Sequence, residues 1–226
     1  MSTVEMKIIA RIKSDFPEKF GIPRQSGLVE ELKSTIIFEP EYRNADALRG
    51  LEDFSHLWLI WQFSEAVRQQ WSPTVRPPRL GGNTRMGVFA TRSPFRPNAI
   101  GLSSVKILGI ESTKDFGTVI HVAGADLMDG TPIFDVKPYI PYCDSHSDAV
   151  GGFTVDADDY LLQVDIPEEL LTKIPEDKRD ALIGVLSHDP RPSYQRDSDR
   201  VYGLDFAGFN VRFTVNNKVL CVISIS

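Results

Sequence analysis

Apolar and polar residues alternate at the start of the chain. Apolar residues occupy every second position from Met6 to Ile12, and basic residues take three of the positions between and after them. A period of two residues is typical of a β-strand with one buried face. The segment from Met6 to Lys13 therefore predicts a strand.

Similar short segments recur along the N-terminal part of the chain. They are rich in β-branched and aromatic residues, and they fall at 34–38, 56–63, 86–90, 101–110, 118–122 and 133–139. Proline and glycine separate them, rather than long helical segments. This spacing favours a closed or sandwiched β architecture over a doubly wound α/β sheet.

Helical periodicity is sparse. Short helices are predicted at 45–51 and 65–70, and a longer one at Pro167–His188. A proline is tolerated in the first turn of a helix, as at Pro167, whereas an interior proline removes a backbone donor. Pro175 must therefore kink or split the longer helix.

The composition changes near Gly151, where an acidic, loop-like segment begins. Beyond the longer helix, three further strands are predicted at 201–206, 209–215 and 219–225. We therefore predict a mainly β protein in two parts. The first is a β domain of residues 1–150, and the second is a small α+β domain of residues 151–226.

Composition narrows the class of protein. With 226 residues, of which 42% are hydrophobic, the chain can bury a core. Two cysteines, Cys143 and Cys221, cannot form a disulfide framework or a four-cysteine zinc site, and the four histidines are scattered, so no metal site is expected. No apolar run is long enough for a signal peptide or a membrane span. A cytoplasmic location without membrane contact is expected.

The sequence also lacks the short motifs of several large enzyme classes. It contains no G-x-G-x-x-G after a strand, no P-loop, no H-E-x-x-H and no G-x-S-x-G. The common nucleotide-binding, zinc-protease and hydrolase interpretations therefore have no support from motifs.

Charge is segregated along the chain. The net charge of −6 argues against a protein that coats nucleic acid non-specifically. From Ala66 to Ile110, which we name the basic segment, there is no Asp or Glu, and seven residues are basic: Arg68, Arg76, Arg79, Arg85, Arg92, Arg96 and Lys106. The rest of the chain therefore carries −13 against +7 for this segment. Such segregation predicts a local anionic partner.

A proline-stiffened loop within the basic segment holds Arg92 and Arg96. Pro94 and Pro97 remove backbone donors and lower the entropy lost when the two arginines are held in place. A guanidinium group offers a planar fork of donors that suits a carboxylate or a phosphate. The alternative is that these arginines bridge two loops through carbonyl groups.

Two other loops carry polar residues whose roles stay open at this point. Asp126 and Asp129 flank a turn that ends at Gly130, and a plain hairpin turn accounts for Asp129 and Gly130. The two aspartates are equally suited to ribose hydroxyls or to a cationic ligand. His56 is either a strand-start residue or a group that hydrogen-bonds or stacks on a base. Arg191, in the segment DPRPSY, belongs to a structural corner or to an RNA-facing edge.

Long strings of the sequence resemble one protein family. They are PRQSGLV, DALRGLEDFSHLW, TVRPPRLGGNTRMGVFATRSPFRPNAIGLS, DLMDGTPIFDVKPYIPY and DPRPSY, and they are similar to the TrmO family of tRNA N6-threonylcarbamoyladenosine N6-methyltransferases. The resemblance implies an N-terminal single-sheet β-barrel that binds S-adenosylmethionine, a small C-terminal domain and a homodimer. It also implies methylation of threonylcarbamoyladenosine at position 37, in the anticodon loop of tRNA.

By motif position, the resemblance also implies a set of cofactor-binding residues: Pro23, Arg24, Gln25, His56, Leu57, Arg92, Leu102, Asp126, Leu127, Met128, Asp129 and Gly130. The accepting nitrogen is of ureido type, with a delocalised lone pair, so we expect its proton to be removed at or before attack. Candidates for that base are Asp126, His56, Asp135 and Tyr139. Arg76, Arg79, Arg96 and Arg191 are candidates for contact with tRNA.

Two alternatives to this function are open at this point. One is a module that binds S-adenosylmethionine or RNA without catalysis. The other is a methyltransferase that acts on a different substrate.

Overall fold

The computed structural model describes residues 3–68, 70–77, 80, 83–154, 161–192 and 197–226. Within these ranges the chain is mainly β, as predicted, with twelve strands and three short α-helices. None of the helices in the described part of the chain is long and apolar enough to cross a membrane.

Eight strands belong to the N-terminal part. They are β1 (Ala10–Lys13), β2 (Lys33–Phe38), β3 (His56–Gln62), β4 (Thr74–Val75), β5 (Met86–Gly87), β6 (Ile100–Thr113), β7 (Gly117–Ala123) and β8 (Pro132–Pro138). Six of them pair in the order β1-β2-β7-β6-β3-β8, and β8 pairs with β1, so this sheet closes into a barrel. Strands β4 and β5, which follow β3 and precede β6 along the chain, form a separate two-stranded sheet.

Side chains of the barrel strands alternate between its inside and its outside. In β3, Leu57, Leu59 and Trp61 are buried, while the residues between them are partly exposed. The alternation follows because successive Cβ atoms of a strand point to opposite faces of the sheet. It decides which residues of each strand can reach a site inside the barrel.

The C-terminal part forms a second sheet with helices. After α1 (Pro141–Asp144) come β9 (Gln163–Asp165), α2 (Glu168–Leu171), α3 (Glu176–Ser187), β10 (Tyr202–Phe206), β11 (Phe209–Asn216) and β12 (Val219–Ile225). The sheet order is β10-β11-β12-β9, and β9 runs parallel to β12. The predicted long helix is split before α3 at Pro175, as expected, whereas β9 was not predicted.

Apolar residues form two cores. One lies within the barrel and includes Leu57, Leu59 and Ile120. The other joins α3 to the second sheet and includes Leu182 and Phe213.

The second core also takes residues from near the N-terminus. Phe16, Val29 and Leu32 are buried in it, and the rings of Phe16 and Phe206 meet edge to face with 5.5 Å between centroids. A Cβ added at Gly184 would lie 2.6 Å from Val29 Cγ1, so α3 approaches this segment closely. The second core therefore does not consist of residues 151–226 alone.

Some predicted elements are shorter than expected. The strand predicted at 86–90 is β5 followed by a 3-10 turn at Val88–Ala90, and Thr91 Oγ1 donates a hydrogen bond to the Val88 carbonyl at the end of this turn. The helices predicted at 45–51 and 65–70 are 3-10 turns at Ala45–Leu48 and Ser64–Ala66. Short apolar runs do not distinguish a strand from a tight turn, because tertiary pairing decides between them.

Candidate active site

A cleft of about 620 Å³ lies where the barrel meets the loops before β2 and β6. Such a volume falls within the range of roughly 300–1,000 Å³ that small-molecule sites have. Its walls combine aromatic rings with arginine, glutamine and carboxylate groups. The lining includes Pro23, Arg24, Gln25, Trp58, Trp61, Phe63, Arg92, Phe95, Arg96, Leu102, Asp126 and Met128.

A chain of hydrogen bonds leads from the barrel interior to the carboxylate in the cleft. Trp61 Nε1 donates to Ser103 Oγ at 3.0 Å, and Ser103 Oγ donates to Asp126 Oδ1 at 2.6 Å. Ser103 is only 1% exposed, so this hydroxyl acts within the protein interior. The Asp126 carboxylate is thereby held in one orientation.

Burial raises the pKa of Asp126 above the usual value of an aspartate, because it disfavours the charged form. The hydrogen bond from Ser103 and the positive charge of Arg92 act in the opposite direction without overcoming this effect. A carboxylate in a cleft with a raised pKa is a candidate proton acceptor or a partner for a cationic ligand.

The alternation of β3 and β6 explains why these groups meet. Trp61 and Gly101 are directly paired across the two strands, and Trp61 and Ser103 both point into the barrel. A Cβ at Gly101 would lie 2.3 Å from Trp61 Cε2, closer than real Cβ atoms come to other atoms. Only glycine lets the indole ring lie in this place without displacement.

The loop before β2 is tied to the loop before β6 at the cleft. The Arg92 guanidinium donates a hydrogen bond to Gln25 Oε1, and Gln25 Nε2 donates to the Arg24 carbonyl. Arg24 in turn donates to the carbonyl of Arg191 at 3.5 Å. The C-terminal part therefore contacts a residue that lines the cleft.

The structure brings together seven of the residues that the family resemblance assigned to the cofactor. They are Pro23, Arg24, Gln25, Arg92, Leu102, Asp126 and Met128, and all line the cleft. By contrast, the side chains of Leu57 and Leu127 are buried in the barrel core.

Asp129 and Gly130 lie outside the lining of the cleft. Asp129 Oδ1 accepts a hydrogen bond from the Ser14 backbone N–H at 2.9 Å, and the Gly130 carbonyl accepts one from Arg11 at 3.1 Å. Gly130 has a positive φ of 72°, which a turn at this point requires. Both residues thus connect this turn to the segment that contains β1 rather than to the cleft.

Of the four candidate bases, Asp126 is the one that lines the cleft. Asp135 pairs with Lys137 at 2.9 Å on β8. His56 Nδ1 lies 2.9 Å from Ser55 Oγ, and the His56 and Tyr139 rings are 6.2 Å apart. Tyr139 contacts the cleft only indirectly, through the Trp58 ring at 5.5 Å.

Three of the four arginines predicted to contact tRNA are described, and they lie in different environments. Arg76 is exposed, and Arg79 lies outside the described residues. Arg96 lines the cleft and also donates to the Val88 carbonyl at 3.3 Å and to the Thr91 carbonyl at 2.6 Å. Both carbonyls belong to the segment that precedes Arg96, so these bonds brace its own loop rather than bridge two loops.

Arg191 lies in a less accessible place than the other described arginines. It is 9% exposed, and its guanidinium pairs with Asp189 at 2.8 Å. Its surroundings fit the structural corner better than an RNA-facing edge.

Sequence reasoning missed the aromatic wall and the hydroxyl of this site. The sequence did not single out Trp58, Trp61, Phe63 or Ser103. In the structure the ring centroids of Trp61 and Phe63 lie 4.2 Å apart. The alternation within β3 and β6 marks Trp61 and Ser103 as inward-facing, but it does not show that they are neighbours. That information comes from the register of the two strands.

No group of three or more His, Cys, Asp or Glu side chains that could hold a metal ion occurs within the described ranges.

Comparison with known proteins gives a consistent result over both parts of the chain. The model of the tRNA-methyltransferase O N-terminal domain matches residues 11–145, and that of the TrmO C-terminal domain matches residues 159–226. The chain is 41% identical over 225 residues to a tRNA (adenine(37)-N6)-methyltransferase of Escherichia coli K12, covering 96% of this chain and 95% of that protein.

Two further comparisons involve Pseudomonas aeruginosa. A putative S-adenosylmethionine-dependent methyltransferase, RcsF, is 40% identical, with coverage of 87% of this chain and 86% of that protein. The crystal structure of TrmO matches with a TM-score of 0.80 and 31% identity, covering 100% of both chains. With both domain models matched in chain order, and relatives aligned over nearly their whole length, the chain belongs to the tRNA-methyltransferase O family.

Proposed function

We propose that this protein is an S-adenosylmethionine-dependent methyltransferase that modifies N6 of the adenosine at position 37 of tRNA. The names of its relatives support this activity, since they include tRNA (adenine(37)-N6)-methyltransferases and S-adenosylmethionine-dependent methyltransferases. The structural observation that carries the proposal is the cleft in which the buried carboxylate of Asp126 lies among aromatic residues and close to the charge of Arg92.

The residues of the cleft fit S-adenosylmethionine chemically. The cofactor carries an ammonium group, a sulfonium centre, a carboxylate and an adenosine. Asp126 offers a negative charge for the cationic groups, and Arg92 offers donors for the carboxylate. Trp61 and Phe63 provide ring surfaces against which an adenine can pack. When bound, S-adenosylmethionine supplies an electrophilic methyl group.

The proposed substrate is threonylcarbamoyladenosine rather than unmodified adenosine. Its N6 is an amide-like nitrogen that carries a proton and a delocalised lone pair, so the proton must leave when the new N–C bond forms. We propose that the carboxylate of Asp126 accepts this proton, because its raised pKa makes it a better proton acceptor than an ordinary aspartate. Arg96, at the edge of the same cleft, is proposed to bind the threonyl carboxylate or a nearby phosphate.

Asp126 has two possible roles, which kinetics separate. If Asp126 removes the proton, Asp126→Asn lowers kcat and leaves the Kd for S-adenosylmethionine unchanged. If Asp126 binds the cofactor, the same substitution raises that Kd, as measured by calorimetry without tRNA. The control Asp135→Asn, at a partly exposed position, should change neither value, because Asp135 does not line the cleft.

The remaining parts of the proposal concern organisation. We propose a division into an S-adenosylmethionine-binding domain of residues 1–150 and a C-terminal domain of residues 151–226, a homodimer in solution and a cytoplasmic location. Positions of Pro23, Arg24 and Gln25 in the cleft support the first domain's role. The contact from Arg24 to Arg191 supports a contribution of the second domain to the site.

The decisive experiment combines purified protein, labelled S-adenosylmethionine and tRNA from cells that lack this protein. Nucleoside mass spectrometry should show one added methyl group on threonylcarbamoyladenosine. Transfer to tRNA that lacks the threonylcarbamoyl group would instead show a different substrate. Cofactor binding without any transfer would show a binding module and overturn the proposed activity.

A further inference from the structure

Two large aromatic side chains stand exposed beside the cleft. Trp71 is 51% exposed and Phe89 is 70% exposed, and their ring centroids lie 5.9 Å apart with 32° between the ring planes. We call this pair of rings the Trp71–Phe89 surface. Together they present an apolar area to solvent that neither core covers.

The local fold holds Phe89 outward. Phe89 lies in the 3-10 turn Val88–Ala90, in which Val88 is buried. The Val88 backbone N–H donates to the Pro73 carbonyl at 2.9 Å, and the Val88 carbonyl accepts from Thr91 Oγ1 at the same distance. Because Val88 is anchored on both sides, its neighbour Phe89 projects away from the protein. The exposure of the ring thus follows from the backbone.

Arginines connect this surface to the cleft. The Arg96 guanidinium lies 5.8 Å from the centroid of the Phe89 ring, and Arg96 itself lines the cleft. Phe95, the next residue of the cleft wall, is 37% exposed and carries the Arg68 guanidinium over its ring at 3.8 Å. A continuous path of aromatic and cationic groups therefore leads from the cleft to Trp71.

The charge of this path selects the class of partner. The residues of this path all belong to the basic segment, in which the sequence has seven basic and no acidic residues; they are Arg68, Trp71, Phe89, Phe95 and Arg96. These exposed aromatic rings lie among arginines and have no carboxylate residues near them in the sequence. They suit a polyanion that also offers flat aromatic faces for stacking. Unpaired nucleotides have both properties, because each carries a phosphate and a base with a π-face.

We propose that Trp71 and Phe89 form a stacking platform for an unpaired base of the tRNA loop next to the nucleotide that enters the cleft. The inference rests on the proposed function, since it places the substrate's neighbouring base at this surface. Stacking on an aromatic ring tolerates any base. The platform therefore contributes affinity and positioning rather than sequence reading.

The test measures binding of a tRNA anticodon stem-loop to the full-length protein. Trp71→Ala and Phe89→Ala should each weaken binding about 5- to 140-fold, the range expected for the loss of one base–aromatic stack. Trp71→Phe and Phe89→Tyr should restore most of the affinity, because they retain a ring. Binding of a blunt RNA duplex of equal length should not change, since it has no unpaired base to stack.

Salt dependence separates stacking from charge. Both alanine variants should keep the wild-type slope of log Kd against log salt concentration, whereas loss of an arginine contact makes the slope shallower. Phe116→Ala is a matched control, because Phe116 is also an exposed phenylalanine but lies between β6 and β7, outside the basic segment. It should leave stem-loop affinity unchanged.

Three results would overturn the inference. They are unchanged stem-loop affinity in both alanine variants, an equal loss of duplex affinity, and a change of oligomeric state on light scattering, which would show that a second copy of the chain covers these rings. Cofactor affinity and thermal stability, measured on the same variants, should match the wild type. Failure of the proposed function would appear differently, as absence of methyl transfer by the wild-type protein.

Discussion

The hydroxyl of Ser103 donates a hydrogen bond of 2.6 Å to Asp126 Oδ1. Ser103 comes from β6, and Asp126 comes from the loop between β7 and β8, so the bond joins two parts of the barrel at the cleft. It favours the charged form of Asp126 against the effect of burial. Among the groups that lower the pKa of Asp126 against burial, the Ser103 hydroxyl has the largest effect, ahead of backbone N–H groups and the charge of Arg92.

Ser103→Ala should shift the pH dependence of methyl transfer to higher pH. Without the hydroxyl, the charged form of Asp126 loses a stabilising donor, and its already raised pKa rises further. If Asp126 is the base, kcat falls as the pH drops through the pKa of Asp126. A higher pKa in Ser103→Ala therefore moves the acidic limb of the kcat profile to higher pH. Ser104→Ala, on the outer side of the same strand, is the control. An unmoved limb in Ser103→Ala would contradict the role of Asp126 as the base.

The free energy of unfolding should also depend on Asp126. Because its pKa is raised in the folded state, the folded protein holds this proton more tightly than the unfolded chain does. Stability from this group is therefore greatest below the usual pKa of aspartate and decreases as the pH rises toward the raised value. Asp126→Asn should remove the contribution of Asp126 to the pH dependence of the free energy of unfolding. Urea denaturation at a series of pH values measures this free energy. An identical pH dependence in the variant and the wild type would show that Asp126 has no such effect.

Gly101→Ala should destabilise the barrel and weaken cofactor binding. The added methyl group would overlap the Trp61 ring, which must move and break its hydrogen bond to Ser103. We expect a loss of about 1–3 kcal/mol, as in other overpacked interiors. Gly87→Ala is a matched control, since no atom lies within 4 Å of its added Cβ and its φ of −57° suits alanine. Equal stability of both variants would contradict the close contact.

Phe16→Ala should destabilise the C-terminal core although it lies in the N-terminal part. Removing the ring leaves a cavity beside Phe206, and about 3–5 kcal/mol is expected for a buried phenylalanine. Chemical denaturation followed by circular dichroism measures the effect. For the exposed Phe116→Ala we expect a change within about 0.5 kcal/mol. A loss for Phe16→Ala no larger than that would mean that the segment 16–32 is not part of this core.

Arg92→Ala and Arg76→Ala should have separate effects. Arg92 lines the cleft, so its loss should raise the Kd for S-adenosylmethionine by about tenfold or more, as for a hydrogen bond to a charged group. Arg76 is exposed, and its loss should weaken tRNA binding and make the salt slope shallower by about one unit. Each variant serves as the control of the other. Unchanged tRNA binding and turnover in Arg76→Ala would remove Arg76 from the RNA surface.

The sequence by itself determined the mainly β class of the protein and supplied candidates for the site residues. Alternation in the first segment, together with β-branched and aromatic runs between prolines and glycines, predicted the described strands other than β4 and β9. Pro175 predicted the split of the longer helix, because all of these signals act locally. Family motifs identified Arg92 and Asp126, which do line the cleft.

Only the tertiary structure decided which of these residues meet. Register between β3 and β6 places Trp61 opposite Gly101 and beside Ser103, and a shift of β6 by one residue would turn Gly101 and Ser103 to the face away from Trp61. Closure of the barrel and the packing of Phe16 into the second core likewise depend on contacts between distant parts of the chain. Such contacts leave no periodic signal in the sequence, so local patterns cannot reveal them.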